Sequence, residues 1–437
     1  MQKLIVRHFG PIENIEIVLT KIIILNGVQS SGKSTLSKLI YLQKSLPEVI
    51  FKYLTENKIQ AQSNNYEYYQ HFTIVLRKWL ISVFGTTKHF HKNFFIQFIF
   101  DMHGDITITK EPRSKHARVR YSLDMQQSLV NIFKKYANFI IEQEQNQSDF
   151  SATYASKLQF LFNIKQQLQS LFGEHREPVF IPAGRSLVST LSDELKKIES
   201  YNIDFLTQEF VKRVSRLRET FSKDLDEMVE DRRNLTNLRI DFKKVKLAKS
   251  LFSDILQGSY RYENGEEQIH ISSEEYVKMK FSSSGQQESL WILNLLFIYI
   301  LNKQESFIVF EEPEAHLYPS TQYEIVKLIS LFLSLNGNEG VITTHSPYVV
   351  ASINNLLTAQ TIAKQSSQSQ TKDALKAILP SDFWLDSRDL SAYFVEDGKA
   401  KDIFDKESGL IDPAYIDRAS ERLNEDFNLI LDLDSTQ

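Results

Sequence analysis

The chain has 437 residues, 42% of them hydrophobic and 24% charged, enough for a substantial core and, at ~150 residues per domain, for up to roughly three units. A formal net charge of -4 excludes a chain that is basic all over, so any nucleic-acid contact would need a local patch. Cysteine is absent, which excludes disulfides, thiolate metal sites and cysteine nucleophiles and fits a reducing compartment.

The opening MQKLIVRHFGPIENIEI lacks the charged and then apolar regions of a signal peptide. It reads instead as two β-like runs around Gly10-Pro11, followed by the continuous apolar run Ile22 to Leu25, which suits a strand buried on both faces. A glycine-containing loop leads into LSKLIYLQKSL, where Leu36, Leu39, Ile40 and Leu46 recur at near-helical spacing. From about Lys52 to Glu174 the chain is rich in Phe, Tyr and Gln, with a helical IVLRKWLISVF and a strand pair in FFIQFIFD and DITITKE. A buried strand returns at Pro178 to Ile181, and a long polar helical region is expected from about Leu191 to Arg233. SYRYENGEEQIHIS reads as a hairpin turning at Asn264-Gly265. Then come a helix from about Gln286, a strand SFIVF, a helix from Thr321, a strand VITT and a helix near Tyr348. The Ser/Gln stretch Gln365 to Thr371 reads as a mobile loop, and a short α/β tail closes the chain. The longest apolar stretch, Leu290 to Leu301, is too short for the ~20 residues that span a bilayer. These features predict a soluble, cytoplasmic protein with no membrane contact.

The strongest chemical signal is Gly27-Val28-Gln29-Ser30-Ser31-Gly32-Lys33-Ser34-Thr35, which fits GxxxxGK(S/T) between a predicted buried strand and a predicted helix. Such a loop wraps phosphates with backbone N–H groups, and the helix N-terminus adds a favourable dipole. Lys33 is expected on the β and γ phosphates and Ser34 on Mg²⁺, with Asn26, Gly27, Gln29, Ser30, Ser31, Gly32 and Thr35 as further nucleotide contacts. Phe307 to Phe310 then deliver Glu311 and Glu312 at the C-terminal end of a central strand, where ligands of open α/β sheets sit. Glu311 would hold Mg²⁺ through water, and Glu312 would orient the attacking water. Between these motifs, Ser282-Ser283-Ser284-Gly285-Gln286 opens the apolar helix, and Val341-Ile342-Thr343-Thr344-His345 ends a strand in a single histidine.

In this order the motifs resemble those of ABC-type ATPase heads of the SMC, RecF and OLD kind. Ser283, Gly285 and Gln286 match the ABC signature, with Ser284 in place of a glycine; Glu311 stands where Asp is commonest. The resemblance implies an α/β fold: a P-loop NTPase head of the ABC type with an antiparallel β lobe and helical insertions. It implies ATP and Mg²⁺ as cofactors, Lys33, Glu312 and His345 as catalytic residues, and His345 as a switch contact to the γ-phosphate. Ser283, Ser284, Gly285 and Gln286 would cap ATP bound by a second subunit, giving a homodimer or higher homo-oligomer, with His316 on an interface or structural segment. The expected division is 1–50 and 281–437 for the two parts of the head, 51–176 for a mainly helical insertion with a strand pair, and 177–280 for a second insertion with the hairpin.

The wording EEPEAHLYP also resembles ATPases of bacterial anti-phage defence systems of the Septu, retron and PARIS kinds, which implies an effector protein, a nuclease, encoded nearby. RecF-like repair, or a nucleotide-gated scaffold with little turnover, are the alternatives. Phe180 to Arg185 resembles a segment of such proteins, with Arg185 either reaching nucleotide or a partner or serving structure. Arg232, Arg233, Arg239, Lys243, Lys244, Lys246 and Lys249 concentrate positive charge that fits either a DNA contact or a solvated face. Glu396, Asp432 and Asp434 imitate the acidic motifs of TOPRIM nucleases, but the chain stops too soon after Asp434 to complete such a site, so the protein is expected not to be a nuclease itself.

Overall fold

The computed structural model describes residues 1–57, 59, 64–86, 90–110, 117–145, 150–190, 203–235, 240–335, 337–415 and 424–430. Its strands are β1 (Lys3–Phe9), β2 (Ile12–Val18), β3 (Ile22–Gly27), β4 (Phe95–Ile99), β5 (Asp105–Thr109), β6 (Arg118–Tyr121), β7 (Glu177–Ile181), β8 (Ser259–Glu263), β9 (Glu266–His270), β10 (Tyr276–Lys278), β11 (Ser306–Glu311), β12 (Glu339–Thr344), β13 (Leu390–Glu396) and β14 (Lys399–Asp402). The main helices are α1 (Lys33–Glu56), α2 (Asn65–Phe84), α3 (Leu123–Gln145), α4 (Phe150–Phe172), α5 (Ser186–Thr190), α6 (Phe205–Arg218), α7 (Leu225–Asn234), α8 (Phe242–Leu256), α9 (Ser284–Asn302), α10 (Pro319–Leu333), α11 (Pro347–Gln365) and α12 (Ser369–Ile378).

Eleven strands form one sheet in the order β6-β5-β4-β1-β2-β14-β13-β3-β12-β11-β7. From β13 to β7 every neighbouring pair is parallel, and from β2 to β6 every pair is antiparallel. The fold is therefore the mixed α/β class the motifs imply, with an antiparallel lobe continuous with a parallel core. Successive residues of the parallel strands feed two separate cores, as the two-residue period of a strand requires. Ile22, Ile24, Ile308, Phe310 and Ile342 pack with α8 to α11, while Ile23, Leu25, Phe307, Val309 and Val341 pack with α1 to α4. Helix α9 is buried without a break from Glu288 to Leu301, which is why its sequence is apolar all round rather than on one stripe.

Three expectations change. The strand pair at 95–109 adds to the edge of β1, so it extends the main sheet. Gln365 to Thr371 is mostly helical: it spans the end of α11 and the start of α12. Of the helical region expected from Leu191 to Arg233, residues 191–202 lie outside the described set, and the remainder is two helices, α6 and α7, parted by a short turn. Among the described residues no helix is long and apolar enough to cross a membrane.

The tail supplies the largest difference. Strand β13 runs parallel to β3, and β13 and β14 form a hairpin that bridges β3 to the antiparallel lobe. Asp397 and Gly398, both at positive φ, make its turn, and the Gly398 carbonyl accepts from Glu13 and Asn14 N–H. Glu396 pairs with Lys399 in this hairpin; Asp432 and Asp434 lie outside the described residues.

Candidate functional site

Strands β3, β12 and β11 are neighbours, so the loops after them meet at one edge of the sheet. After β3, Gly27, Ser30 and Gly32 take φ of 146°, 61° and 113°, wrapping the loop so that Val28, Gln29 and Ser30 face solvent. A side chain at Gly27 would put its Cβ 2.1 Å from the Val395 carbonyl oxygen, so glycine is required there by the tail strand as well as by φ. Asn26 is turned away from the loop mouth: its amide accepts from Gly27 N–H and donates to the Tyr415 carbonyl.

Helix α1 starts at Lys33 with Gly32 as its N-cap and no side-chain cap, whereas α9 and α11 are capped by Ser283 and Ser346. Its first N–H groups are therefore offered to an anion. The Ser31 hydroxyl, buried and without a hydrogen-bond partner, adds a donor beside them. Ser34 is exposed and Thr35 half-buried at the helix start. These features fit a phosphate cradle.

Lys33 is buried, with 4% of the residue exposed, and its ammonium donates to the Gly27 and Val28 carbonyls at 2.8 and 2.7 Å. Burial lowers its pKa to about 8, partly offset by Glu312 and Glu314. It also lies 3.3 Å from His345 Nδ1, and His345 Nε2 lies 3.2 Å from a Glu312 carboxylate oxygen. Because an ammonium only donates, Nδ1 accepts from Lys33 and the ring proton sits on Nε2, directed at Glu312. The hydrogen bond from His345 holds the Glu312 carboxyl below its ordinary pKa, against the effect of burial. Lys33, His345 and Glu312 thus form one chain of contacts across three strand ends.

Glu312 adopts φ 43°, a conformation that costs a non-glycine residue about 1–3 kcal/mol and must be held from outside. Its N–H donates to the Thr343 carbonyl and hydroxyl, and its carbonyl accepts from Arg185. Glu311, at the strand end, is buried and accepts from Ser37 and Ser34; burial raises its pKa despite these bonds and the nearby Lys38. A buried carboxylate with hydroxyl neighbours and a nearby exposed Ser34 is a donor set that suits a hard divalent cation.

The signature turn is an N-cap. Ser283 accepts from Gln286 N–H and Gln286 returns the bond to Ser283 N–H, a capping box at the start of α9. Ser283 and Ser284 are exposed, and Gly285 approaches the backbone of His316, whose carbonyl oxygen would lie 3.0 Å from an added Cβ. The contacts bring Lys33, Glu312 and His345 together, with Glu311 beside Ser34 and Ser37; among the described residues no hydrogen bond joins Ser283 to Gln286 directly to the P-loop of the same chain. Of the basic stretch, Arg233, Lys243 and Lys249 pair with Glu230, Asp382 and Asp226, and Lys244 donates to Ser334; Arg239 lies outside the described residues.

Two carboxylates escaped the sequence reading. Glu314 is buried, accepts from the Thr344 hydroxyl and His345 N–H, and keeps its second oxygen without a partner. Burial raises its pKa. Glu288, on α9, binds the backbone N–H groups of Arg185 and Ser186. Glu314 stood inside a motif already singled out; Glu288 carried no local signal, because its partner is far away in the chain.

A family model described as an AAA ATPase domain matches residues 1–350. No curated protein matches. Similar solved structures include an SMC head bound to the C-winged helix domain of ScpA, 12% identical over 92% of this chain and 96% of that chain at a TM-score of 0.39. An SMC head domain from Thermotoga maritima is 10% identical over 92% and 97% at a TM-score of 0.35. An SMC head domain with an extended coiled coil, bound to the C-terminal domain of ScpA derived from Pyrococcus furiosus, is 14% identical over 92% and 96% at a TM-score of 0.35.

Proposed function

Because this chain belongs to the AAA ATPase domain family, and so to a class of ATP-binding ATPases, we propose that two copies close around ATP and open when it is hydrolysed. The observation that carries this reading is the Lys33–His345–Glu312 chain of contacts beside an uncapped helix N-terminus, with the signature turn exposed elsewhere on the same chain. The P-loop N–H groups and Lys33 bind the phosphates. Ser34 and Glu311 would hold Mg²⁺, which supplies charge compensation at the phosphate oxygens when bound. Glu312 orients the attacking water, and His345, already between Glu312 and Lys33, reports the presence of the γ-phosphate to both. Ser283 to Gln286 complete the site of a second subunit, so a homodimer or larger homo-oligomer is the active form.

The closing heads are proposed to control an effector protein, a nuclease encoded nearby, within a bacterial anti-phage defence system in the cytoplasm; EEPEAHLYP supports this role. DNA is the second candidate for the controlled partner. A nucleotide-gated scaffold with little turnover is the competing reading, favoured by the contact that holds Glu312 on His345.

ATP binding and hydrolysis by wild type, Lys33→Ala and Glu312→Gln, with size followed by light scattering, test the proposal. Lys33→Ala should lose ATP binding. Glu312→Gln should bind ATP, lose about 10²–10⁴-fold in turnover and stay in the larger closed assembly. Normal hydrolysis and unchanged size for Glu312→Gln would remove both the role of that carboxylate and the clamp.

A further inference from the structure

Arg185 lies in the loop after β7, and its side chain is wholly buried. A buried guanidinium is costly to desolvate and is retained where hydrogen-bond partners offset that cost. Here one arm donates to the Pro182 and Glu311 carbonyls at 2.8 and 2.7 Å, and the other to the Glu312 carbonyl at 3.0 Å. Nε donates to the Glu288 carbonyl at 2.8 Å, and the Glu288 carboxylate lies 3.5 Å from it. That carboxylate also takes Arg185 N–H and Ser186 N–H at 2.9 and 3.0 Å. One side chain therefore joins the carbonyls on both sides of Glu312 to the helix that begins with the signature turn.

The junction matters because Glu312 is in a left-handed conformation that does not hold itself. Thr343 fixes its N–H and Arg185 fixes its carbonyl, so the direction of the Glu312 carboxylate depends on where Arg185 sits. Arg185 in turn is placed by Glu288, about a turn and a half into α9 from the Ser283 cap. A movement of α9 would therefore reach Glu312 through a side chain that hydrogen-bonds to both.

We propose that Arg185 and Glu288 form a positioning relay, in which engagement of the signature turn by the nucleotide of a second subunit sets the Glu312 carboxylate for water attack. This rests on the clamp reading above. Arg185 itself touches neither nucleotide nor water; its effect is exerted through Glu312.

The test is steady-state ATP hydrolysis and nucleotide affinity for Arg185→Lys, Glu288→Gln, Ser283→Ala and the Arg185→Lys/Ser283→Ala double variant, each at a temperature below its melting transition. Arg185→Lys keeps the charge and loses the fork; kcat should fall at least tenfold while KM and ATP affinity stay within twofold of wild type. Glu288→Gln should fall in the same way. The double variant should be no slower than the slower single variant, because both changes cut one path. Weakened ATP affinity with unchanged kcat would make Arg185 a nucleotide contact and overturn the relay. Multiplying effects in the double variant, or a Glu288→Gln chain at the wild-type rate, would overturn it too. Failure of the clamp reading shows separately, as normal hydrolysis by Glu312→Gln.

Discussion

The two ends of the parallel strands both carry buried charge, yet they are built on opposite plans. At the N-terminal end Lys44, from the middle of α1, bridges Glu174 and Glu339 at 2.9 Å each, and Arg176 bridges the same two carboxylates at 2.9 and 3.0 Å. Two cations and two anions close on one another in a ring of four ion pairs. At the C-terminal end Glu311 and Glu314 are buried with raised pKa values, and Glu312 and His316 sit at positive φ. Closed charge pairing serves structure; carboxylates that burial disfavours and a strained backbone are the signature of a site waiting for a ligand.

The comparison breaks most visibly at Lys44. Replacing it with Met leaves buried carboxylates facing an uncharged neighbour, and removal of one partner from a buried network costs about 3–5 kcal/mol. Urea denaturation of Lys44→Met should show that loss, while ATP affinity at low temperature stays unchanged. A variant that weakens nucleotide binding without losing stability would show that the two ends are not functionally separate.

Glu314→Gln probes the opposite end with a smaller effect. Glutamine keeps an acceptor for Thr344 and His345 N–H but removes a carboxylate that burial disfavours. Hydrolysis should fall by about tenfold, equivalent to ~1.4 kcal/mol, because a neutral amide oxygen holds the backbone that carries His345 less firmly than a carboxylate does. Denaturation midpoints at neutral pH should not fall. A large stability loss with normal turnover would reverse the roles assigned to the two ends.

What the sequence made legible follows the range of the interactions. The P-loop, the strand that carries Glu311 and the Asn264-Gly265 hairpin are local: a run of apolar residues or a turn dipeptide specifies each, and Asn264 and Gly265 do take the positive φ values such a turn needs. Asp397-Gly398 is the same kind of signal, but the adjacent Glu396 reads as part of an acidic motif, which hides the hairpin. Its place beside β3 could not have been read, since a parallel pairing is chosen by packing across the whole chain. Arg185 was legible as a candidate with its role open, whereas Glu288, Glu174 and Glu339 acquire meaning only through partners brought together by the fold.

Acid titration gives the smallest effect and the sharpest contrast in sign. Burial alone would raise the Glu174 carboxyl, but Lys44 and Arg176 outweigh it and hold its folded pKa below the ordinary value of 4.5. The native state therefore binds that proton less readily than the unfolded chain. Its contribution is present above pH 4.5 and is lost as pH falls through the lower folded value. Glu314 is the reverse case: its folded pKa is raised, so its ionisation costs stability as pH rises through the window above 4.5. Denaturation midpoints measured from neutral pH into acid should thus show Glu174→Gln starting below wild type and converging on it as the pH falls. Glu314→Gln should start at or above wild type and approach it over the same range. Curves that move in the same direction would mean that one of the two ends is paired in a way these contacts do not account for.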